Sequence, residues 1–75
     1  MRDQPDPLLS VLLKRLRQEH EVTQEQLAFD AGITVSALSR IERGLNSPNW
    51  ATVRSIIKAL DVSLLELATD LERAA

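Results

Sequence analysis

The chain has 75 residues, no cysteine, 44% apolar and 27% charged residues, and a net charge of −2. That length allows one small domain with a thin core, and the missing cysteines exclude disulfide or thiolate-metal staples. Aromatics are 3%, namely Phe29 and Trp50, which argues against a base-stacking platform for single strands.

The predicted elements are helical throughout, since apolar residues recur at helical spacing and no strand-like alternation appears. Asp6-Pro7 fits an N-cap followed by proline at the first helical position. Behind it Leu9, Leu12, Leu13, Leu16 and His20 form one stripe. Thr23-Gln24-Glu25-Gln26 reads as a capping box with Val22 and Leu27 at staple spacing. Gly32 can end that second helix in a left-handed conformation. Thr34 then caps a third helix, with Ile33 and Leu38 as its staple. Pro48-Asn49 opens a fourth, with Ser47 as a rival cap. Ser63-Leu64-Leu65-Glu66 is a second capping box, stapled by Val62 and Leu67.

Each helix offers a core stripe. The second has Leu27, Ala28 and Ala31, and the third has Leu38 and Ile41. The fourth has Val53, Ile56, Ile57 and Leu60, and the fifth has Leu64, Leu67, Ala68 and Leu71. Five short amphipathic helices bury such stripes against one another. The expected fold is a compact all-α domain over residues 1–75 with an ordered core of about 7–71. The first few residues and the final "ERAA" are expected to fray. Trp50 is expected to cover the edge of the core.

The third helix carries the unusual face. With Leu38 and Ile41 inward, Ser36, Ser39, Arg40 and Arg43 fall outward at i, i+3, i+4 and i+7. Two serines let a helix axis come close to a groove floor. An arginine beside them can offer two donors to guanine O6 and N7, a contact that discriminates by about 1–3 kcal/mol. In an arbitrary protein the same face is simply solvated.

The joint "AGIT" between the second and third helices is short enough to set them at a steep angle, as in a helix-turn-helix. The segment "LR…VTQEQLAFDAGITVSALSRIERG", continued through "SPNWATVRSIIKALDVSLLEL", resembles the Cro/C1-type (XRE-like) family of helix-turn-helix DNA-binding domains. The resemblance runs over about residues 8–70. It implies a lambda-repressor-like fold, helices two and three forming the helix-turn-helix, and transcriptional control through double-stranded DNA. It implies base reading by Val35, Ser36, Ser39 and Arg40, and phosphate contacts by Gln24, Arg43 and Asn46. It also implies an ion pair between Arg17 and Glu42. Many members carry a polar residue where this chain has Val35, which leaves that position apolar contact only.

The acidic balance runs against the basic footprint of most nucleic-acid binders. Distribution tempers this. Asp61, Glu66, Asp70 and Glu72 gather in the last fifth, while Lys14, Arg15, Arg17, Arg40, Arg43, Arg54 and Lys58 lie in the body. No cofactor, metal site or catalysis is expected. His20 stands alone, and Glu25, Asp30 and Glu42 make no catalytic set. No apolar run approaches the roughly 20 residues of a membrane span, and the acidic, Pro-broken start is unlike a signal peptide. The cytoplasm, on the nucleoid, is the expected location.

The first and fifth helices are more apolar than one small domain needs. A second copy of the chain would cover that excess, with Leu64, Leu65 and Leu71 as the expected contact. The expected function is therefore a homodimeric repressor or controller at a palindromic operator. Small stand-alone members of the family include restriction–modification controllers, phage-type repressors and antitoxins. The rival readings are a helical module that docks a protein partner, as an antitoxin does, and a DNA-binding piece of a longer regulator.

Overall fold

The structure, a computed structural model, describes residues 7–74. Five helices follow in order: α1 (Pro7–Glu19), α2 (Gln24–Ala31), α3 (Val35–Glu42), α4 (Trp50–Ala59) and α5 (Leu64–Ala74). Among the described residues there is no strand. The expected cap at Asp6 lies outside the described residues. Far from fraying after Leu71, α5 continues through Glu72 and Arg73 to Ala74.

The helix starts follow from side-chain oxygens that meet free amides. Thr23, Thr34 and Asn49 accept from the N–H groups of Gln26, Ala37 and Thr52 at 3.0, 3.0 and 2.8 Å. Asn49, not Ser47, is thus the cap of α4. At α5 the box is reciprocal: Glu66 N–H donates to Ser63 Oγ at 3.0 Å, and Ser63 N–H donates to Glu66 Oε1 at 3.3 Å. The box expected at α2 is only half made, because the Gln26 amide donates instead to Asp30 Oδ1 at 2.9 Å, one turn ahead.

The helix ends share one device. After α1, α2, α3 and α4 a residue in the left-handed region turns the chain: Glu21, Gly32, Gly44 and Asp61. The next residue donates back to the helix in each case. Val22, Ile33, Leu45 and Val62 bond Arg17 O, Ala28 O, Arg40 O and Ile57 O at 2.9–3.2 Å. This paired closure satisfies carbonyls that a helix end leaves open. In three of the four joints the next residue is already the cap of the following helix. The chain reads Glu21-Val22-Thr23, Gly32-Ile33-Thr34 and Asp61-Val62-Ser63. One aliphatic side chain per joint therefore serves the end of one helix and the start of the next.

α2 lies between α3 and α4, while α1 packs on α3 and α5. The core joins Leu12, Leu13 and Leu16 to Leu27, Leu38, Ile56 and Leu67, with Val62 from the last joint. The stripe expectation fails at His20, Ala68 and Leu64. His20 is exposed and donates from Nδ1 to Leu16 O at 2.8 Å, closing the helix end rather than packing. Ala68 is exposed, and Leu64 is 49% exposed, so Leu67 is the buried residue of α5. Trp50 covers the core edge only in part and keeps 56% of its surface open.

Candidate nucleic-acid interface

The outward side of α3 is built by its own register. Leu38 and Ile41 are 0% and 4% exposed and fix the helix against the core. Ser36 and Arg40 then stand in solvent, Ser39 is half-buried, and Val35 is 38% exposed. Arg43 is exposed just past the last turn, where it forms the C-cap of α3. The face is thus short side chains with two guanidinium groups at its far end. Glu42, the one carboxylate on α3, is 7% exposed and turned away.

Glu42 is the centre of a clamp. Arg17 donates to it twice, Nε to Oε2 at 2.7 Å and Nη2 to Oε1 at 3.0 Å. The third arginine nitrogen, Nη1, donates to Val22 O at 3.0 Å. The side chains are 13% and 2% exposed. The expected ion pair is therefore present, bidentate and buried, which gives geometric specificity as well as energy. Sequence reading missed its third member: Gln24 Nε2 donates to Glu42 Oε1 at 2.9 Å. The residue expected to hold a phosphate at the start of α2 is thereby tied to the end of α3. Its amide nitrogen carries two hydrogens, and the second is available to a phosphate. The first-turn amides and dipole of α2 favour an anion at the same place.

Asn46 follows α3 in the third joint, "GLNSPN", which is longer than the other three. Gly44 turns the chain at φ 75°, and Leu45 and Asn46 then both direct their N–H groups to Arg40 O, at 2.9 and 3.4 Å. Asn46 is exposed, as is Leu45 at 50%. One orientation of the Asn46 carboxamide satisfies both of its ends. Its oxygen accepts from Arg40 Nε at 3.2 Å, and its nitrogen donates to Leu45 O at 3.0 Å.

The remaining basic residues do not all join this face. Arg54 and Lys58 line a broad groove between α4 and α5 together with Asp61 and Glu66, where opposite charges offset. A basic face and an acidic end are therefore not cleanly separated. A second, apolar groove is lined by Leu9, Trp50, Val53, Leu64, Leu67 and Leu71. Leu65 is not among its lining residues and is 76% exposed on α5, whereas Leu71 is half-buried against the core. Among the described residues no group of His, Asp and Glu could hold a metal ion, and no helix is long and apolar enough to cross a membrane.

Comparison with known proteins agrees with this geometry. The profile of the family described as Helix-turn-helix matches residues 13–67. The HTH-type transcriptional regulator y4dJ of Sinorhizobium fredii is 40% identical over 55 residues, 73% of this chain and 71% of the relative. The cryptic phage CTXphi transcriptional repressor RstR of Vibrio cholerae is 31% identical over 87% of this chain. There the match spans 59% of the relative, less than two thirds of its length. Among solved structures, the wild-type restriction–modification controller protein C.Esp1396I superposes with a TM-score of 0.85 at 29% identity, covering 88% of this chain and 85% of that one. The same controller, as a tetramer in complex with its natural 35 base-pair operator, gives 0.84 at 29% identity, with 88% and 87% covered. The family is one of transcriptional regulators and not of enzymes. The chain belongs to the helix-turn-helix family, in its Cro/C1-type (XRE-like) form.

Proposed function

We propose that this protein is a transcriptional repressor or controller that reads a two-fold symmetric operator as a homodimer, in the cytoplasm on the nucleoid. The observation that carries the reading is the outward side of α3: small residues, two exposed arginines, and its one carboxylate buried against Arg17. Such a helix can enter a major groove without repelling it. Val35, Ser36, Ser39 and Arg40 meet base edges there, with Arg40 donating to a guanine. Gln24 and Arg43 hold phosphates, and Asn46 stands at the same rim. Phosphate contacts set the register and base edges set the sequence.

Dimerisation rests on the apolar surface that one copy leaves open. Leu64, Leu65 and Trp50 are each about half or more exposed, and Leu64 and Trp50 line a groove that continues to Leu71. A C2 pairing of this surface would bury it on both copies and place two α3 helices about 34 Å apart, one turn of duplex. Oligomerisation on DNA is described for the C.Esp1396I controller.

The test is a selection from random duplex DNA with the purified protein, followed by sequencing. A two-fold symmetric motif is expected. Arg40→Ala should fold normally, because the residue is exposed, and should lose about 1–3 kcal/mol of discrimination at one base pair of each half-site. Binding of the best site unchanged by that substitution would remove Arg40 from the reading. No enrichment at low salt would move the function to a protein-docking module, whose affinity would lack the steep salt dependence of phosphate contacts.

A further inference from the structure

The family resemblance implies separate DNA contacts for Arg40 and Asn46, one to a base and one to a phosphate. The structure puts them in contact. The left-handed turn at Gly44 folds the loop back, and the Arg40 carbonyl receives the N–H groups of Leu45 and Asn46. Two backbone bonds therefore hold Asn46 over the residue it follows by six. Its carboxamide is held at the other end too, by the bond from its nitrogen to Leu45 O at 3.0 Å. What remains is the carboxamide oxygen, and in the orientation that satisfies both ends of the amide it accepts from Arg40 Nε at 3.2 Å.

The nitrogen used matters. A guanidinium can meet a pair of acceptors through Nε and one terminal nitrogen, or end-on through Nη1 and Nη2. The bond to Asn46 occupies Nε. Among the described residues Nη1 and Nη2 make no hydrogen bond, so the end-on pair is left for a ligand. Arginine has many rotamers, and each one frozen before binding is an entropy cost removed from the bound state. An exposed arginine on a helix has no such restraint by default.

We propose that Asn46 is a positioning residue for base reading, in place of the phosphate contact that the family resemblance implies. It fixes the Arg40 guanidinium so that Nη1 and Nη2 present end-on to guanine O6 and N7. This rests on the reading of Arg40 as the base-reading residue.

The two roles of Asn46 predict different data. A phosphate contact acts alike on every sequence and contributes close to one unit to the slope of log affinity against log salt. A positioning residue acts only where Arg40 acts. The experiment measures binding of wild type, Arg40→Ala, Asn46→Ala and the double variant to the best selected duplex. The same set is measured on that duplex with the Arg40 base pair exchanged and on a random duplex, across a salt series. Circular dichroism checks the fold of each; both residues are exposed.

Asn46→Ala is expected to lose roughly two- to ten-fold on the best site, the usual worth of one hydrogen bond. It should lose nothing on the exchanged or random duplex and keep the salt slope. In the Arg40→Ala background it should have no further effect, since coupled residues are non-additive. An equal loss on all three duplexes, a slope reduced by about one, or the same loss in both backgrounds would each overturn the proposal. If wild type selects no motif, or Arg40→Ala keeps full discrimination, the reading beneath it has failed, and that result is visible without any Asn46 variant.

Discussion

The three short joints and the long one make opposite use of the same start. All four helices end on a left-handed residue with the same pair of back-bonds. In the short joints the aliphatic residue that follows goes inward: Val62 is 6% exposed, and Val22 and Ile33 pack on the core. A cap comes next, and the following helix begins. After α3 the corresponding residue, Leu45, stays 50% exposed, and four more residues pass before α4 starts at Trp50. Where the joint is closed it sets the angle between helices. Where it is open it carries a side chain back to the outward face of α3. The difference teaches that a fixed frame and a functional edge need not come from different kinds of turn, only from where the next side chain goes.

The comparison can be broken most violently at the clamp. Arg17 holds the first short joint through Val22 O and the end of α3 through Glu42. Arg17→Ala leaves the Glu42 carboxylate buried without its cation, and should cost about 3–5 kcal/mol, most of the stability of so small a domain. Urea unfolding measures it, and a loss below about 1 kcal/mol would mean the clamp is idle. Next comes a matched pair. Val62→Ala should cost about 2 kcal/mol, as two buried methyls are lost and a cavity is left. Leu45→Ala, at the equivalent place in the open joint, should stay within about 0.5 kcal/mol. Equal losses would erase the distinction between the joints. The smallest effects sharpen it. A Cβ at Gly32 meets nothing within 4 Å, so Gly32→Ala tests backbone strain alone and should cost about 1 kcal/mol. Asp61→Gly should move the other way by a few tenths of a kcal/mol, relieved strain being offset by a freer unfolded chain. Thermal melts of the two variants on the same day would show whether their signs differ.

The sequence made the frame easy to read and the contacts across it hard. Periodicity located Leu13, Leu38, Ile56 and Leu67, because core burial is what a helical repeat encodes. The caps Thr23, Thr34 and Ser63 were legible because capping is local. Locality also misled where two local options competed. Gln26 could reach back to Thr23 or forward to Asp30, and the forward, one-turn pairing prevails. Ser47 and Asn49 were both plausible caps, and Asn49 is used. His20 fitted the stripe by spacing, but it sits where α1 has already ended, and its ring joins its own backbone N–H on the Leu16 carbonyl. The outward face of α3 followed from register alone. The Gln24–Glu42 bond spans 18 residues and two elements, and no period or motif encodes it. The Asn46–Arg40 contact depends on how a loop folds back, which spacing does not reveal. The repeated trio of turn residue, aliphatic and cap was present in the letters, but its two acidic versions, at Glu21 and Asp61, hide a role expected of glycine.

The clamp also divides what this molecule can change from what it must keep. Arg17, Gln24 and Glu42 share one carboxylate, so drift at any one of them is penalised until the others follow. In a lineage of such proteins those three positions should move together or not at all. Val35, Ser36, Ser39 and Arg40 have no part in that clamp. Their side can be rewritten residue by residue without renegotiating the architecture that presents it, and under the proposed function such a change would bring a new operator.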